Sequence, residues 1–520
     1  MEFLIGSPTL AIPIVALILW IFWKAFLEPS PLPDLPIVGL DRSQWFAWPR
    51  TLYKSFHSFR VIYSEAYEKY LSQGKPCILP ELNDTHVVLP SSMGQWLVDQ
   101  PDAVLSSLLR QNEFLQTKHT FPIPKMAIHP HHAHVIKTDL TRKLSSLSEE
   151  IWTELETSLN EQWGTNTEEW REVNVFQTMM RVLTRTSNRL FVGKDLCANE
   201  AYLNLCTAFA QDVPVTGILI RLIPSMLHPI LAPIIALPNR YHNYKIRQML
   251  HPEILRRLKI AERGGDDAPN DFLQWYITYA QKSLEPEEST PSFLSDRIAT
   301  VNFAAIHTST FTSVNAIFDI VSSPEMTTIL SEIRSEIQSV MPSGDEKWSK
   351  SSVQSMVKTD AILRESMRFS SFMTGGLHRT VAAKEGVTTP DGLHIKQGNV
   401  IAVPALPVHR DPNTYHNPNT FVPLRFLRAT GTDEQQHQTE ERKVRSTNTV
   451  DTSLIFLPFG HGRHGCPGRF FAANELKLLL AYIALNYDVK PLEFRPEPVA
   501  FGSVMTPDPN VSIKIRRRKN

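Results

Sequence analysis

A glycine-rich loop around one cysteine is the feature that most constrains this chain. Residues 459–469 contain Cys466, four glycines and one proline. An apolar helical pattern follows at once, with residues spaced i, i+3, i+4 and i+7: Leu476, Leu479, Leu480 and Ile483. Cys466 is therefore predicted on a loop at the N-terminus of a helix, where backbone N–H groups and the helix dipole lower the pKa of a thiol. Such a thiolate can serve as a nucleophile, a redox thiol or a metal ligand.

The neighbours of Cys466 favour a haem as its partner. Glycines let a flat macrocycle approach the backbone, and haem iron binds a thiolate. Arg463, His464 and Arg469 supply positive charge for the anionic propionates. The alternative is a free cysteine in a turn, because most free cysteines are packing residues.

The spacing Phe459-x-x-Gly462-x-x-x-Cys466-x-Gly468 resembles the haem-binding loop of the cytochrome P-450 superfamily, the haem-thiolate monooxygenases. The resemblance implies haem b as the cofactor and Cys466 as the axial ligand of its iron. It also implies that Phe459 and His464 contact the cofactor.

Three further segments acquire roles from the same resemblance. Arg379 is the candidate for a basic residue that reaches a haem propionate. Residues 370–374 and 503–507 are expected to line the substrate pocket.

Length and composition fit a large enzyme and do not favour a nucleic-acid-binding protein. The chain has 520 residues, beyond the roughly 250–300 at which a single core stops growing. It carries 53 basic and 53 acidic residues, so no global charge attracts nucleic acid. Its four cysteines are too few for a disulfide framework and favour a reducing compartment.

The N-terminus predicts a membrane anchor. Residues 3–23 carry no charge, and a helix of that length spans ~31 Å, enough for a bilayer core. A cleaved signal peptide is the alternative, but the first basic residue, Lys24, follows the apolar run instead of preceding it. Basic residues downstream predict a cytosolic body. We expect a single-pass anchor in the endoplasmic reticulum membrane at 1–27, a proline-rich hinge at 28–40 and a haem-thiolate catalytic domain at 41–520.

A histidine-dense tract at residues 129–134 has several interpretations. Such tracts can bind metal, but no cysteine or carboxylate cluster joins it, which favours solvated histidines at a helix start. The P-450 resemblance instead places a helix here that lays basic side chains against a propionate. The usual tryptophan–arginine pair is not evident, and His131, His134 or Lys137 are candidates to replace it.

Residues 214–238 are apolar and repeatedly interrupted by proline. They are too interrupted for a transmembrane helix. Either they form a buried core segment or, as the resemblance implies, a loop that dips into the membrane and roofs the substrate channel.

A long helix is predicted over residues 293–323, with Ser292 as its N-cap and Pro324 as its stop. Small and hydroxyl-bearing side chains occupy its centre at 303–310. Because the flanks are apolar, this centre is predicted to be a functional notch; an exposed Ser/Thr face is the alternative.

The resemblance places this notch on the oxygen side of the haem. Ala304, Thr308 and Ser309 match the family pattern, and Ala305 replaces a glycine. His307 stands where the family carries an acid. Thr308 is therefore the candidate oxygen-activating residue. His307 is a candidate proton relay, since histidine exchanges protons near neutral pH, or else a mark of altered chemistry.

Glu365 and Arg368 lie three residues apart on a predicted helix and can form an ion pair. The resemblance adds Arg425, in the segment Phe-Val-Pro-Leu-Arg-Phe at 421–426, as a second partner of Glu365. This network is expected to be structural and to support the base of the cysteine loop.

Together the motifs imply a mainly α fold with a smaller β-rich subdomain, with haem between the long helix and the cysteine loop. The implied reaction is oxidation of an apolar small molecule, a terpenoid or related fungal secondary metabolite, with dioxygen and electrons from NADPH through a membrane NADPH-cytochrome reductase. Two alternatives are a reductase-independent haem-thiolate isomerase or dehydratase, and a non-catalytic haem-binding membrane protein.

Overall fold

The structure is a computed structural model, and it describes residues 32–81, 85–124, 129–263, 268–283, 285–343, 346–427 and 448–519. The predicted anchor at 1–27 lies outside the described residues, as does the start of the predicted hinge.

Helices make up most of the described chain. In order they are α1 (Ala47–Lys69), α2 (Gly94–Asp99), α3 (Ser107–Leu115), α4 (Thr117–Thr120), α5 (His131–Val135), α6 (Thr141–Trp163), α7 (Val175–Val192), α8 (Lys194–Cys197), α9 (Glu200–Arg221), α10 (His228–Ile235), α11 (Leu237–Arg263), α12 (Phe272–Ala280), α13 (Pro291–Val321), α14 (Met326–Val340), α15 (Lys350–Gln354), α16 (Val357–Phe369), α17 (Leu406–His409) and α18 (Arg469–Asn486). A π-helical turn, Ile136–Leu140, joins α5 to α6.

The strands are short and form small sheets. They are β1 (Cys77–Leu79), β2 (His86–Val88), β3 (Leu105–Ser106), β4 (Arg171–Asn174), β5 (Gly375–Val381), β6 (Val387–Thr388), β7 (His394–Ile395), β8 (Val400–Pro404), β9 (Tyr487–Val489), β10 (Val499–Phe501), β11 (Val504–Thr506) and β12 (Ser512–Arg517). The largest sheet has the order β1-β2-β8-β5-β3. In it β2 and β8 are parallel, and β5 pairs antiparallel with β8 so that Arg379 faces Ile401. The predicted fold class, mainly α with a smaller β-rich part, is confirmed.

The predicted long helix is present as α13, but its cap differs. Thr290 is the N-cap, and its hydroxyl accepts a hydrogen bond from the N–H of Phe293 at 3.4 Å. The predicted cap Ser292 is wrong because Pro291 occupies the first turn, where its fixed φ and missing N–H are tolerated. The helix packs against α7, α9 and α11, so α13 runs through the core.

Residues 214–238 are more helical than expected. Pro214 lies inside α9, which continues unbroken to Arg221. The prediction of a proline-broken segment is wrong there, because packing of α9 against α11 and α13 outweighs the loss of one backbone hydrogen bond. Among the described residues, α9 is the single helix whose length and apolar composition would suffice to cross a membrane, and 44% of that apolar window is buried within the protein.

Candidate active site

The cysteine loop is held by backbone hydrogen bonds. The N–H of Cys466 donates to the carbonyl of Phe459 at 2.8 Å, and the N–H of Gly465 donates to the carbonyl of Gly462 at 3.0 Å. Gly462 has φ 71°, a left-handed conformation that glycine adopts without strain. The helix α18 begins three residues after Cys466, so the predicted position of the thiol at a helix start is confirmed.

The predicted low pKa of the Cys466 thiol is wrong for the protein chain alone. Burial raises the pKa of this thiol, although the backbone N–H of Gly468, the charge of Arg469 and the backbone N–H of Arg469 act in the opposite direction. The free-energy cost of desolvating the thiolate outweighs the stabilisation that the helix N-terminus and the charge of Arg469 provide. A bound metal cation would reverse this balance, because coordination deprotonates a thiol.

Arg379 and His464 lie in one charged group beside the loop. Arg379 is 5% exposed, its Nη1 donates to the carbonyl of His378 at 2.8 Å, and burial lowers the pKa of its guanidinium to about 10. The His464 Nε2 lies 2.8 Å from the Asp102 carboxylate. Burial lowers the pKa of His464 although Asp102 acts in the opposite direction. Arg379 is thus a buried cation on the sheet, and His464 is tied to an acid at the edge of the loop.

The centre of α13 is open although the helix is buried over most of its length. Ala304 and Thr308 are exposed, one helical turn apart, while Ser309 and Thr310 behind them are buried. The hydroxyl of Thr308 donates to the carbonyl of Ala304 at 2.9 Å. This open face of small side chains lies where the notch is predicted.

His307 borders the notch. Its Nδ1 is buried without a hydrogen-bond partner among the described residues, and burial lowers the pKa of its imidazole to about 4. Its ring lies edge-on to Phe311, with centroids 5.9 Å apart. The side chain at the position of the family's acid is therefore neutral at physiological pH.

The two predicted pocket segments meet beside the notch. The N–H of Met505 donates to the carbonyl of Phe372 at 2.9 Å, and the hydroxyl of Thr374 donates to the carbonyl of Ser503 at 2.9 Å. The ring of Phe372 lies edge-on to that of Phe311 at 6.1 Å. A chain of aromatic contacts thus connects the notch to residues 370–374.

The predicted contact of Glu365 with both arginines is present. The Arg368 guanidinium donates to its two oxygens at 2.8 Å each, and Arg425 Nε donates to Oε2 at 3.0 Å. Arg368 also donates to the carbonyl of His409, and the N–H of Leu457, close to the cysteine loop, donates to Nε2 of His409 at 3.0 Å. This path links the network to the chain that enters the loop.

Sequence reasoning missed Glu475 on α18. Its side chain is fully buried, and its Oε1 accepts a hydrogen bond from the hydroxyl of Ser187 at 2.9 Å. Burial raises the pKa of this carboxyl to about 8. The available signal was one acidic residue in the otherwise apolar pattern after Cys466.

These residues fit a haem. A partly exposed thiol on a glycine loop, an open face of small side chains on α13 and a buried arginine match an iron, a flat macrocycle and a propionate. Cys466, Phe459, Arg379 and His464 are the residues that would hold it.

Comparisons with known proteins agree with this geometry. The sequence model of the family described as cytochrome P450 matches residues 108–515. The cytochrome P450 monooxygenase pbrC of Penicillium brasilianum is 31% identical over 512 residues, covering 96% of this chain and 94% of the relative. The cytochrome P450 monooxygenase 151 of Postia placenta is 32% identical over 513 residues, covering 97% of each chain.

A solved structure shares the fold. The retinoic acid-bound cyanobacterial CYP120A1 matches with a TM-score of 0.65 and 16% sequence identity, covering 94% of this chain and 99% of that chain. Because a family model matches most of the chain and monooxygenases match nearly all of it, the assignment does not depend on the cysteine loop alone. The chain belongs to the cytochrome P450 family and is a haem-thiolate monooxygenase.

Proposed function

We propose that the enzyme is membrane-anchored and oxidises an apolar small molecule, a terpenoid or related fungal secondary metabolite, with dioxygen and electrons from NADPH. The aromatic wall beside the notch carries the proposal about the substrate. Phe311 and Phe372 form a continuous apolar surface next to Thr308, and such a surface binds an apolar skeleton by excluding water. The relatives are fungal cytochrome P450 monooxygenases, which supports the type of reaction.

The protein's own residues position the reactants and move protons. When bound, the haem would supply dioxygen activation, and the thiolate of Cys466 would hold its iron. The hydroxyl of Thr308 donates to the Ala304 carbonyl, so its oxygen is oriented to accept a hydrogen bond from a water molecule. His307, being neutral, can accept a proton at one ring nitrogen and release one from the other. Thr308 and His307 together are the proposed route for protons.

Exposed apolar side chains support association with a membrane. In α10, Ile230 is 66% exposed and Ile234 is 59% exposed, although large apolar residues are usually buried. Trp45 and Phe46, just before α1, are 83% and 65% exposed. Together with the anchor predicted at 1–27, these surfaces support contact with a membrane. The proposed placement is single-pass in the endoplasmic reticulum, with a cytosolic catalytic domain that an NADPH-cytochrome reductase reduces.

A second candidate is a reductase-independent isomerase or dehydratase. It is favoured by His307 at the position of the family's acid and by the absence of a hydrogen-bond partner for its buried Nδ1 among the described residues. Such an enzyme needs no proton delivery to dioxygen.

Feeding candidate terpenoids to membranes that contain the protein and a reductase tests the proposal, with products identified by mass spectrometry. We expect products heavier by one oxygen atom that require NADPH and incorporate label from 18O2. Product formation without NADPH or reductase would instead support the second candidate. Cys466→Ser is the matched control: it must abolish both the products and the thiolate-type carbon monoxide spectrum, and retention of that spectrum would refute Cys466 as the ligand.

A further inference from the structure

A second group of side chains that can ligate a metal shares no residue with those assigned to the haem. Among the described residues, His129, His131 and Glu285 each offer one ligand atom, and these atoms all lie within 4.8 Å of one another. The two histidines stand at the start of α5, and Glu285 lies in the segment that leads into α13. The sequence shows the histidine tract without a carboxylate, and the fold brings one to it.

His131 is already oriented as metal-binding histidines are. Its Nδ1 lies 2.5 Å from the hydroxyl oxygen of Tyr279. A ligating imidazole usually engages its second nitrogen in a hydrogen bond, which fixes the tautomer and the ring orientation. In the tautomer whose Nδ1–H donates to Tyr279, the lone pair of Nε2 is available to a cation.

A buried carboxylate faces the same nitrogen. Glu288 is fully buried, and its Oε1 has no hydrogen-bond partner in the part of the chain that the structure describes. That oxygen lies 3.6 Å from Nε2 of His131 and 3.7 Å from Nη2 of Arg297. A divalent cation at the imidazoles would help to compensate the buried carboxylate of Glu288.

We therefore expect a residue other than His131 to take the propionate role considered for it. Its ring faces Tyr279 and the carboxylate of Glu288, and a propionate would add a further negative charge there. His134 and Lys137 remain the candidates for that contact.

We propose that His129, His131 and Glu285 bind one divalent transition-metal ion of the zinc class. Two imidazoles and a carboxylate are a ligand set that zinc accepts, with a water or Glu288 completing a tetrahedron. Ligand bonds of ~2.0–2.2 Å require the three side chains to close around the ion by small rotations. The ion joins the start of α5 to the segment before α13, which runs on to the catalytic notch.

Zinc binding to the full-length, haem-loaded protein tests the site. The protein, purified in detergent without a polyhistidine tag and stripped with a chelator, is titrated with zinc by calorimetry, and its metal content is measured after dialysis. We expect one zinc per chain, a rise in the unfolding temperature and an unchanged haem spectrum. His129→Gln and Glu285→Gln should each weaken binding at least about tenfold, and Tyr279→Phe about tenfold through the outer shell.

His251→Gln is the matched control, because His251 is exposed on α11 and outside the group. It should bind zinc as the wild type does. The proposal is overturned if wild type, His129→Gln and Glu285→Gln bind zinc with the same affinity and stoichiometry. Since His129 is exposed, its variant retains the haem spectrum and keeps the test decisive even if Glu285→Gln does not fold.

Discussion

The carboxylate of Glu365 accepts hydrogen bonds from Nε and Nη2 of Arg368, each at 2.8 Å. Both side chains are fully buried, so each charge depends on the other for compensation. Removing one partner leaves an uncompensated charge in the core.

Glu365→Ala is therefore expected to destabilise the enzyme by about 3–5 kcal/mol and to lower the fraction that retains haem. Denaturant titration and the haem-to-protein absorbance ratio measure the two effects. The control is Glu65→Ala, which removes an exposed i,i+4 pair with Lys69 and should cost less than about 1 kcal/mol. Equal losses in the two variants would contradict a supporting role for Glu365.

Gly462 is expected to tolerate no side chain. A Cβ there would lie 2.2 Å from Cγ1 of Val98, and the backbone has φ 71°. Gly462→Ala should thus combine backbone strain of about 1–2 kcal/mol with a steric clash, and should lower haem retention. Gly398→Ala is the control, because Gly398 has φ 83° and, apart from its chain neighbours, no described residue places an atom within 4 Å of an added Cβ.

The double variant Gly462→Ala/Val98→Ala separates the two causes. Relieving the clash should restore part of the haem retention relative to Gly462→Ala. If Gly398→Ala and Gly462→Ala lose the same unfolding free energy, close packing against Val98 is not what requires the glycine.

Sequence patterns were sufficient where the relevant contacts are local. The position of Cys466 before α18 and the Glu365–Arg368 pair follow from spacing within one loop or one helix. The partner Arg425 lies far along the chain and was identified only through the family resemblance. Because Glu285 is distant from the histidine tract in sequence, its approach to His129 could not be read from local pattern.

Burial was the property that sequence reasoning predicted least well. The loop chemistry suggested a lowered pKa for Cys466, whereas desolvation raises it. Desolvation also makes His307 a weak base and Glu475 a weak acid, and both effects depend on side chains contributed by other helices. The cap at Thr290 and the continuous helix through Pro214 likewise reflect neighbours that a single segment does not reveal.

His307→Ala tests the proton route. If the imidazole passes protons, product formed per NADPH should fall by about tenfold or more, with more peroxide released and substrate binding unchanged. His307→Gln, which keeps a donor and an acceptor, should retain part of the coupling. Unchanged turnover and unchanged peroxide leakage in His307→Ala would refute the relay.

The pH dependence of stability gives a second test of His307. The pKa of its imidazole is about 4 in the folded protein, against 6.5 for an imidazole that is not buried. A histidine with a depressed folded pKa binds more protons when unfolded, so it costs stability as pH falls from about 6.5 to about 4. His307→Gln should remove this component, and the unfolding midpoints of variant and wild type should diverge below pH 6.5.

Glu475 should affect stability in the opposite pH range. Its carboxyl has a pKa of about 8 when folded, against 4.5 when unburied. The folded state binds the proton more tightly, so the wild type loses stability as pH rises from about 4.5 to about 8, by at most about 1.4 kcal/mol per pH unit.

Glu475→Gln, which is isosteric and uncharged, should not show this loss. The difference in unfolding free energy between Glu475→Gln and wild type should therefore grow from pH 6 to about pH 8 and stay constant above it. Parallel curves over this range would mean that Glu475 is ionised in the folded protein at neutral pH.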